Sequence, residues 1–393
     1  QRRWKWQRPN LFGTTEDLFT QTIVVPYLIP MLQNAGAIVF TPRERDWQKH
    51  EVIVDNDDAV KRPYYVETVN GKKWKDCDSI GFADKRRYYE DNQNPFTDGT
   101  VRKAKATKKK NHSEISYQPD LPEAGKYAVY VSYPSLPKSV TAAEYLAYHK
   151  GEATEFSVNQ RMGGGTWVYL GTFDFDKGCN TLNRVVVTNQ ASKRGVVTSD
   201  AVRFGGGMGN ILRGNNSSGM PRCLEGARYY AQWAGAPYHV YGGRKGANDY
   251  ADDINTRSLM TNWLGGGSPY MPALQGKKVP IELSLAVHSD AGYNKDGKTT
   301  WGSLAICTTN FNDGMLNSGI SRMTSKDLAK ALLKNLVSDL RQQYGEFSER
   351  YLWDRNYSET RLPEVPAAII ETLSHQSFPD MKIGQDPMGK FTI

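Results

Sequence analysis

The chain has 393 residues, 23% of them charged and 39% hydrophobic, with a formal net charge of +8. That length exceeds one small core, so two domains are expected, and the composition is that of an ordinary globular protein. No run of about 18 apolar residues occurs, which excludes a membrane-spanning helix. No leader is visible at Gln1, and a mature chain freed of its leader is the expectation. The basic balance, with a pI near 9.0, suits an anionic partner: nucleic acid, phospholipid or an acidic wall polymer. Its densest stretch, Arg102 to Lys110, reads as a solvated loop between strands, so nucleic acid is not the expected partner. Cys77, Cys179, Cys223 and Cys307 form no C-x-x-C pair, which argues against a structural zinc site and leaves disulfide pairing open.

The first element begins after Gly13, where Thr14 and Asp17 have capping-box spacing. Leu18, Phe19, Ile23, Tyr27, Leu28, Met31 and Leu32 give it a helical apolar face. Pro26 and Pro30 each remove a backbone donor, which predicts a kink or a helix in two pieces, with Gly36 as its stop. Residues 37–41 read as a buried strand. From about Glu51 the texture changes to short alternating segments broken by turn residues, among them 126–133, 155–159, 166–171, 183–188 and 199–204, which predict a β-sandwich. The glycines of 205–209 read as a linker. Beyond them come a helix over 221–234, a short strand over 237–241, a helix over 252–264, a nearly continuous apolar strand over 279–287, a strand over 302–308, a long amphipathic helix over 325–344 and a last buried strand over 367–371. The predicted class is α/β: a mixed open sheet flanked by helices, interrupted by an inserted β-sandwich. The boundaries are 1–50 and 208–393 for the α/β part and 51–207 for the insertion.

Polar residues that end apolar strands mark candidate sites, because ligands gather at the carboxyl ends of strands in open α/β sheets. His288 ends the run Leu283 to Val287, and Glu371 ends Ala368-Ile-Ile370. A charge buried there is costly unless it is paired or bound to a metal. Glu16, in the first turn of the first helix, reads by itself as a helix-dipole acid.

Together these residues resemble the zinc-dependent N-acetylmuramoyl-L-alanine amidases. In that family a glutamate opening the first helix and a histidine ending a central strand are zinc ligands, and a catalytic glutamate ends a later strand. Ser284-Leu-Ala-Val-His288-Ser-Asp-Ala291 is similar to the family's Ser-Leu-His-Ala-Asn/Asp-Ala type of motif, with two residues intervening before the histidine. Pro366-Ala-Ala-Ile-Ile-Glu371-Thr372 is similar to its Pro-Ala-Val-Leu-Val-Glu-Thr type. The resemblance covers roughly residues 8–50 and 208–393. The β-rich interval resembles the golvesin-type domain inserted in a Bacteroidetes branch of these amidases, with Asn248 to Asp253 and Asp354 to Glu359 as further marks of that branch. The family's first zinc ligand is a histidine on a strand ahead of Glu16, whereas the first histidine here is His50. That ligand is therefore expected ahead of Gln1, in a chain that starts late. Its genuine loss would mean a pseudoenzyme. His239 is a substitute by residue type, but its setting reads as structural. A final helix is expected beyond Ile393.

What the resemblance implies is a zinc hydrolase that cuts the amide between N-acetylmuramic acid and L-alanine in peptidoglycan, in the periplasm, at the cell surface or outside the cell. Glu16 and His288 would hold zinc and Glu371 would move the proton. Asp290 would orient the metal-bound histidine, and Arg355 is a candidate for substrate carboxylates or the oxyanion. Other envelope proteins are possible partners. The competing readings are a non-catalytic envelope- or glycan-binding protein and a polysaccharide lyase.

Overall fold

Alternation of apolar and polar residues, not helical periodicity, builds most of this chain. The computed structural model describes residues 4–393. They divide into a first unit, Arg43–Ala247 with Lys277–Val279, and a second, Trp4–Pro42, Asn248–Gly276 and Pro280–Ile393. In chain order the helices are α1 (Glu16–Ile23), α2 (Ile29–Asn34), α3 (Ala227–Trp233), α4 (Tyr238–Tyr241), α5 (Asp249–Gly265), α6 (Met323–Tyr344), α7 (Ser358–Arg361), α8 (Phe378–Gly384) and α9 (Pro387–Thr392).

The first unit contains β1 (Val52–Asp55), β2 (Tyr65–Thr68), β3 (Lys75–Gly81), β4 (Gly99–Lys105), β5 (Glu114–Tyr117), β6 (Gly125–Val131), β7 (Ala143–His149), β8 (Glu152–Val158), β9 (Val168–Phe175), β10 (Arg184–Thr188), β11 (Val196–Ser199) and β12 (Ala201–Phe204). They form antiparallel sheets in the orders β1-β12-β6-β9, β2-β5-β10-β7-β8 and β11-β4-β3. Every second residue of β7 faces inward, so Ala143, Tyr145 and Ala147 are buried while their neighbours are not. Val54, Tyr127, Val129, Val202 and Phe204 from one sheet and Ile115, Tyr117, Tyr145, Val185 and Val187 from another fill one shared core. This sandwich-like packing is what the alternating segments predict.

A charged network is buried in the same unit. Arg203 is fully buried, with Nη1 donating to Glu44 Oε2 at 2.7 Å and Glu51 Oε2 at 3.2 Å. Its guanidinium lies 3.8 Å from the centre of the Tyr130 ring. Arg222 reaches Glu51 at 3.1 Å and lies over Trp233. Burial favours the neutral form of Glu44, but Arg203 and the hydroxyl of Tyr130 outweigh it and lower the pKa. The expected glycine linker belongs to this buried region. Gly205 has φ +93°, and a β-carbon there would stand 2.1 Å from the His50 carbonyl, so a larger residue does not fit.

The second unit holds β13 (Ser284–Asp290), β14 (Ser303–Cys307), β15 (Glu349–Asp354) and β16 (Ala367–Ser374), in the order β13-β16-β14-β15. The β13–β16 and β14–β15 pairs are parallel and β14–β16 is antiparallel. In α6, Ala329, Leu333, Leu336, Val337 and Leu340 fall on one face and are buried with Phe19 and Ile23 of α1, Ala305, Cys307, Ala368 and Ile370.

The fold class expected from the sequence is corrected by these sheets. Among the described residues twelve of the sixteen strands lie in antiparallel sheets of the first unit, and only four form the mixed sheet of the second. The chain is predominantly β and sandwich-like rather than a helix-flanked α/β fold, because alternating segments far outnumber helical ones. Local expectations shift too. Residues 37–41 join no sheet, and Ile38 is 81% exposed. Residues 238–241 are a helix rather than a strand, and the 221–234 segment is a 3-10 turn followed by α3. Thr15, not Thr14, caps α1. The prolines leave a π-helical turn over Val24–Leu28 between α1 and α2. The basic run is strand β4 as far as Lys105, with Arg102 paired to Glu67 and Asp76. None of the four cysteines is in a disulfide.

Removing one side of the buried pair should be costly. Arg203→Leu strands the Glu44 charge and is expected to lose about 3–5 kcal/mol in chemical denaturation. Adding Glu44→Leu should recover part of that loss. A single-variant loss below about 1 kcal/mol, the scale of an exposed pair, would show that the network is not buried as described.

Candidate functional site

In the second unit, parallel pairing of β13 with β16 sets His288 opposite Glu371. The same register sets Ala286 opposite Ile369, which pack with Leu304 and Ile306. The sheet therefore carries an imidazole and a carboxyl side by side at the end of an apolar face. Thr372 fixes the local backbone by donating its hydroxyl to the His288 carbonyl at 3.0 Å.

Helix α1 brings Glu16 to this strand end, because Phe19 and Ile23 anchor its apolar side in the core. His288 Nδ1 is 3.0 Å from Glu16 Oε1, and His288 Nε2 is 2.9 Å from Glu359 Oε2. Glu359 sits on α7, which packs on β16 and β14. Each carboxylate has a second cation. Arg8 Nε donates to Glu16 Oε2 at 3.0 Å, and Arg257 Nη1 to Glu359 Oε1 at 3.2 Å. Arg257 also reaches Asp253 at 3.1 Å. The result is a row of alternating charge: Asp253, Arg257, Glu359, His288, Glu16, Arg8.

The row sets the protonation states. Burial works against charge on Glu16, yet His288 and then Arg8 bring its pKa down to about 2. Glu359 is likewise brought to about 2 against its burial, by His288 and Arg257. Burial disfavours the His288 cation, but Glu359 and Glu16 overcome it and raise the pKa well above the usual value. Glu371 behaves in the opposite way. Burial pushes it up to about 7, His288 pulls it back, and the charges of Asp290, Glu16 and Glu359 add to the rise. Its Oε2 is buried with no hydrogen-bond partner. A carboxyl poised near neutrality beside two ionised ones can take up and release a proton at physiological pH.

Three sequence-predicted residues thus meet: Glu16, His288 and Glu371. Asp290 acts on Glu371 through its charge, but it accepts hydrogen bonds from the Ala291 N–H at 2.7 Å, from Trp301 Nε1 at 3.1 Å and from Arg350, not from His288. Arg355 is exposed and stacks over Trp353, 5.0 Å from the ring centre. His239 is exposed on α4 of the first unit. Glu359 and Arg257 join the site without a motif that marks them in the sequence. Their only signals were the acidic runs Asn248 to Asp253 and Asp354 to Glu359, the second of which contains Glu359. Among the described residues no group of three or more His, Cys, Asp or Glu is arranged to hold a metal ion. The reason at His288 is geometric, since Glu16 and Glu359 face different ring nitrogens.

The second unit thus gathers an imidazole and three carboxyls at one place on its sheet. Comparison with known proteins adds the following. Residues 90–206, in the first unit, match the Golvesin C-terminal domain. The chain is 35% identical over 97 residues to a xanthan lyase of Bacillus sp. (strain GL1), which covers 24% of this chain and only 10% of that protein. The N-acetylmuramoyl-L-alanine amidase of Clostridium difficile 630 is 18% identical, with 28% of this chain and 51% of that one covered at a TM-score of 0.22. The C-terminal CBM6 of LamC from Zobellia galactanivorans is 14% identical, covering 40% of this chain and 99% of that one at a TM-score of 0.24.

The Glu371 shift has a definite sign. A carboxyl raised from 4.5 to about 7 binds its proton more tightly in the folded chain than in the unfolded one. It therefore subtracts stability as pH rises from about 4.5 to about 7 and no further beyond, by about 3 kcal/mol in all. Glu371→Gln, which is neutral throughout, should be more stable than the parent at pH 8 by roughly that amount and equal to it at pH 4. Denaturation at the two pH values measures this, and a pH-independent difference would place the Glu371 titration elsewhere.

Proposed function

We propose that the second unit is a hydrolase of cell-envelope amides, acting on the bond between N-acetylmuramic acid and L-alanine of peptidoglycan, in the periplasm or outside the cell. The observation that carries this reading is Glu371: a buried carboxyl near neutrality, with a free oxygen, beside His288 and Glu16. That arrangement suits a base that takes a proton from water and returns it to a leaving amine.

The same reading includes one zinc ion. Glu16 Oε1 and His288 Nδ1 face each other at 3.0 Å, a carboxylate and an imidazole of the kinds that bind zinc. Glu359, on Nε2, fits the carboxylate that orients a metal-bound histidine. Glu16 and His288 would hold the ion, and no third protein ligand is found among the described residues. When bound, zinc supplies an acidified water and electrostatic stabilisation of developing negative charge. The chain's own groups do the rest. Glu359 fixes the imidazole plane, and Arg8 holds the second oxygen of Glu16. Glu371 holds the proton between attack and departure of the amine.

A second reading, envelope binding without catalysis, is favoured by the engagement of both His288 nitrogens with carboxylates. Digestion of purified peptidoglycan separates the two. The hydrolase should release stem peptides with a new L-alanine amine, and Glu371→Ala should lower the rate about 10²–10⁴-fold with the fold retained. Zinc content measured by elemental analysis should fall in His288→Ala. Equal peptide release by the Glu371 variant would sink the base assignment. Unsaturated sugar products would point to a lyase.

A further inference from the structure

Two buried acids of the first unit have no cation beside them. Asp55 ends β1 and Asp200 immediately precedes β12, where Asp55 pairs with Ala201. They are 2% and 1% exposed. The charged groups that act on Asp55 are Asp200, Asp57 and Asp58, all acidic. Lys61 is directed to the Asn56 carbonyl and to Asp58.

The oxygens around this pair are incompletely satisfied. Asp200 Oδ2 accepts from the Phe82 N–H at 3.0 Å and from Ser132 Oγ at 2.8 Å, while Asp200 Oδ1 has no partner. Asn56, also buried, donates its Nδ2 to the Thr100 carbonyl at 3.2 Å and to Thr100 Oγ1 at 2.9 Å, while its Oδ1 has no partner. Asp200 Oδ1 and the Thr100 carbonyl both border Gly81. A β-carbon at Gly81 would stand 2.7 Å from the first and 2.9 Å from the second. Asp57 ties the same turn to Thr100 through the Thr100 hydroxyl at 2.7 Å.

We propose that the Asp55 and Asp200 carboxylates, the Asn56 amide oxygen and the Thr100 carbonyl form a structural site for a hard divalent cation of the calcium class. A shared proton answers one orphan acceptor. Here there are two, together with a second acid, and one cation answers them all. The donors are all oxygens, two anionic and two neutral, which suits calcium and not a metal that prefers nitrogen or sulfur. Calcium also accepts the irregular geometry of a turn, which magnesium does not. Bound there, the ion would pin the turn after β1 to the start of β12 and to β4, strands drawn from two different sheets.

Calorimetric titration of the full chain, stripped with a chelator and returned to metal-free buffer, tests the site with calcium chloride. Sodium chloride at equal ionic strength is the control. One calcium per chain should bind with a dissociation constant on the order of 10⁻⁴ M or tighter, and calcium but not sodium should raise the thermal unfolding midpoint. Asp200→Asn and Asn56→Ala should each weaken binding, the first by about tenfold or more. Absence of binding heat and of a midpoint shift in the parent chain overturns the proposal, whether or not the variants fold. So does calcium binding that both variants keep at full strength, because the ion would then lie elsewhere.

Discussion

A histidine ring held between two carboxylates determines how three separate parts of the second unit meet. Helix α1 contributes Glu16, strand β13 contributes His288 and helix α7 contributes Glu359. None of these charges could be buried alone, since an isolated buried ion is prohibitively costly. Each is tolerable because the next has the opposite sign, out to Arg8 at one end and Arg257 with Asp253 at the other. Glu371 stands beside the row but not in it. Burial above all, and then like charges nearby, hold its proton to a higher pH than its neighbours hold theirs, and one of its oxygens has no hydrogen-bond partner. Two kinds of carboxyl, ionised and neutral, within one small region are what acid–base chemistry at neutral pH requires.

The first unit handles buried charge in two other ways. Arg203 and Arg222 are enclosed by Glu44, Glu51 and aromatic rings, so cations and anions are matched inside the β-rich unit. Such a network contributes little net stability over apolar packing, but breaking it leaves an uncompensated charge. Asp55 and Asp200 lack any such cation. The contrast within one unit is why the second pair demands a partner that the polypeptide itself does not provide.

Much of the fold was legible in local pattern. The alternating segments of the β-rich interval, the amphipathic 325–344 helix and the strands that carry His288 and Glu371 all formed, although the first of those strands begins at Ser284 rather than at Val279 and both run on past those residues, to Asp290 and Ser374. Segments failed where local pattern was ambiguous. Residues 37–41 have the apolar content of a strand, but a strand exists only if its backbone joins a ladder, and this one joins none. Tyr238 to Tyr241 are β-favouring residues, yet Pro237 precedes them as an N-cap and they close into one helical turn. The weight of the whole chain toward antiparallel sheet is not visible locally, because helices mark themselves over long windows and short strands do not.

The sequence by itself determined which residues could carry chemistry, because a polar residue ending an apolar strand is visible without coordinates. It marked His288 and Glu371 in this way, whereas Glu16, in the first turn of α1, stood out only through the resemblance to the amidases. Only tertiary structure decided their states. Glu359 comes from a four-residue helix with no periodicity to announce it, and Asp290, two residues from His288, turns instead to Trp301 and Arg350. Which nitrogen faces which carboxylate, and which carboxyl stays neutral, depends on distances of about 3 Å between residues tens to hundreds of positions apart. Such distances are set by how α1, α7 and the sheet pack, and no local pattern encodes them.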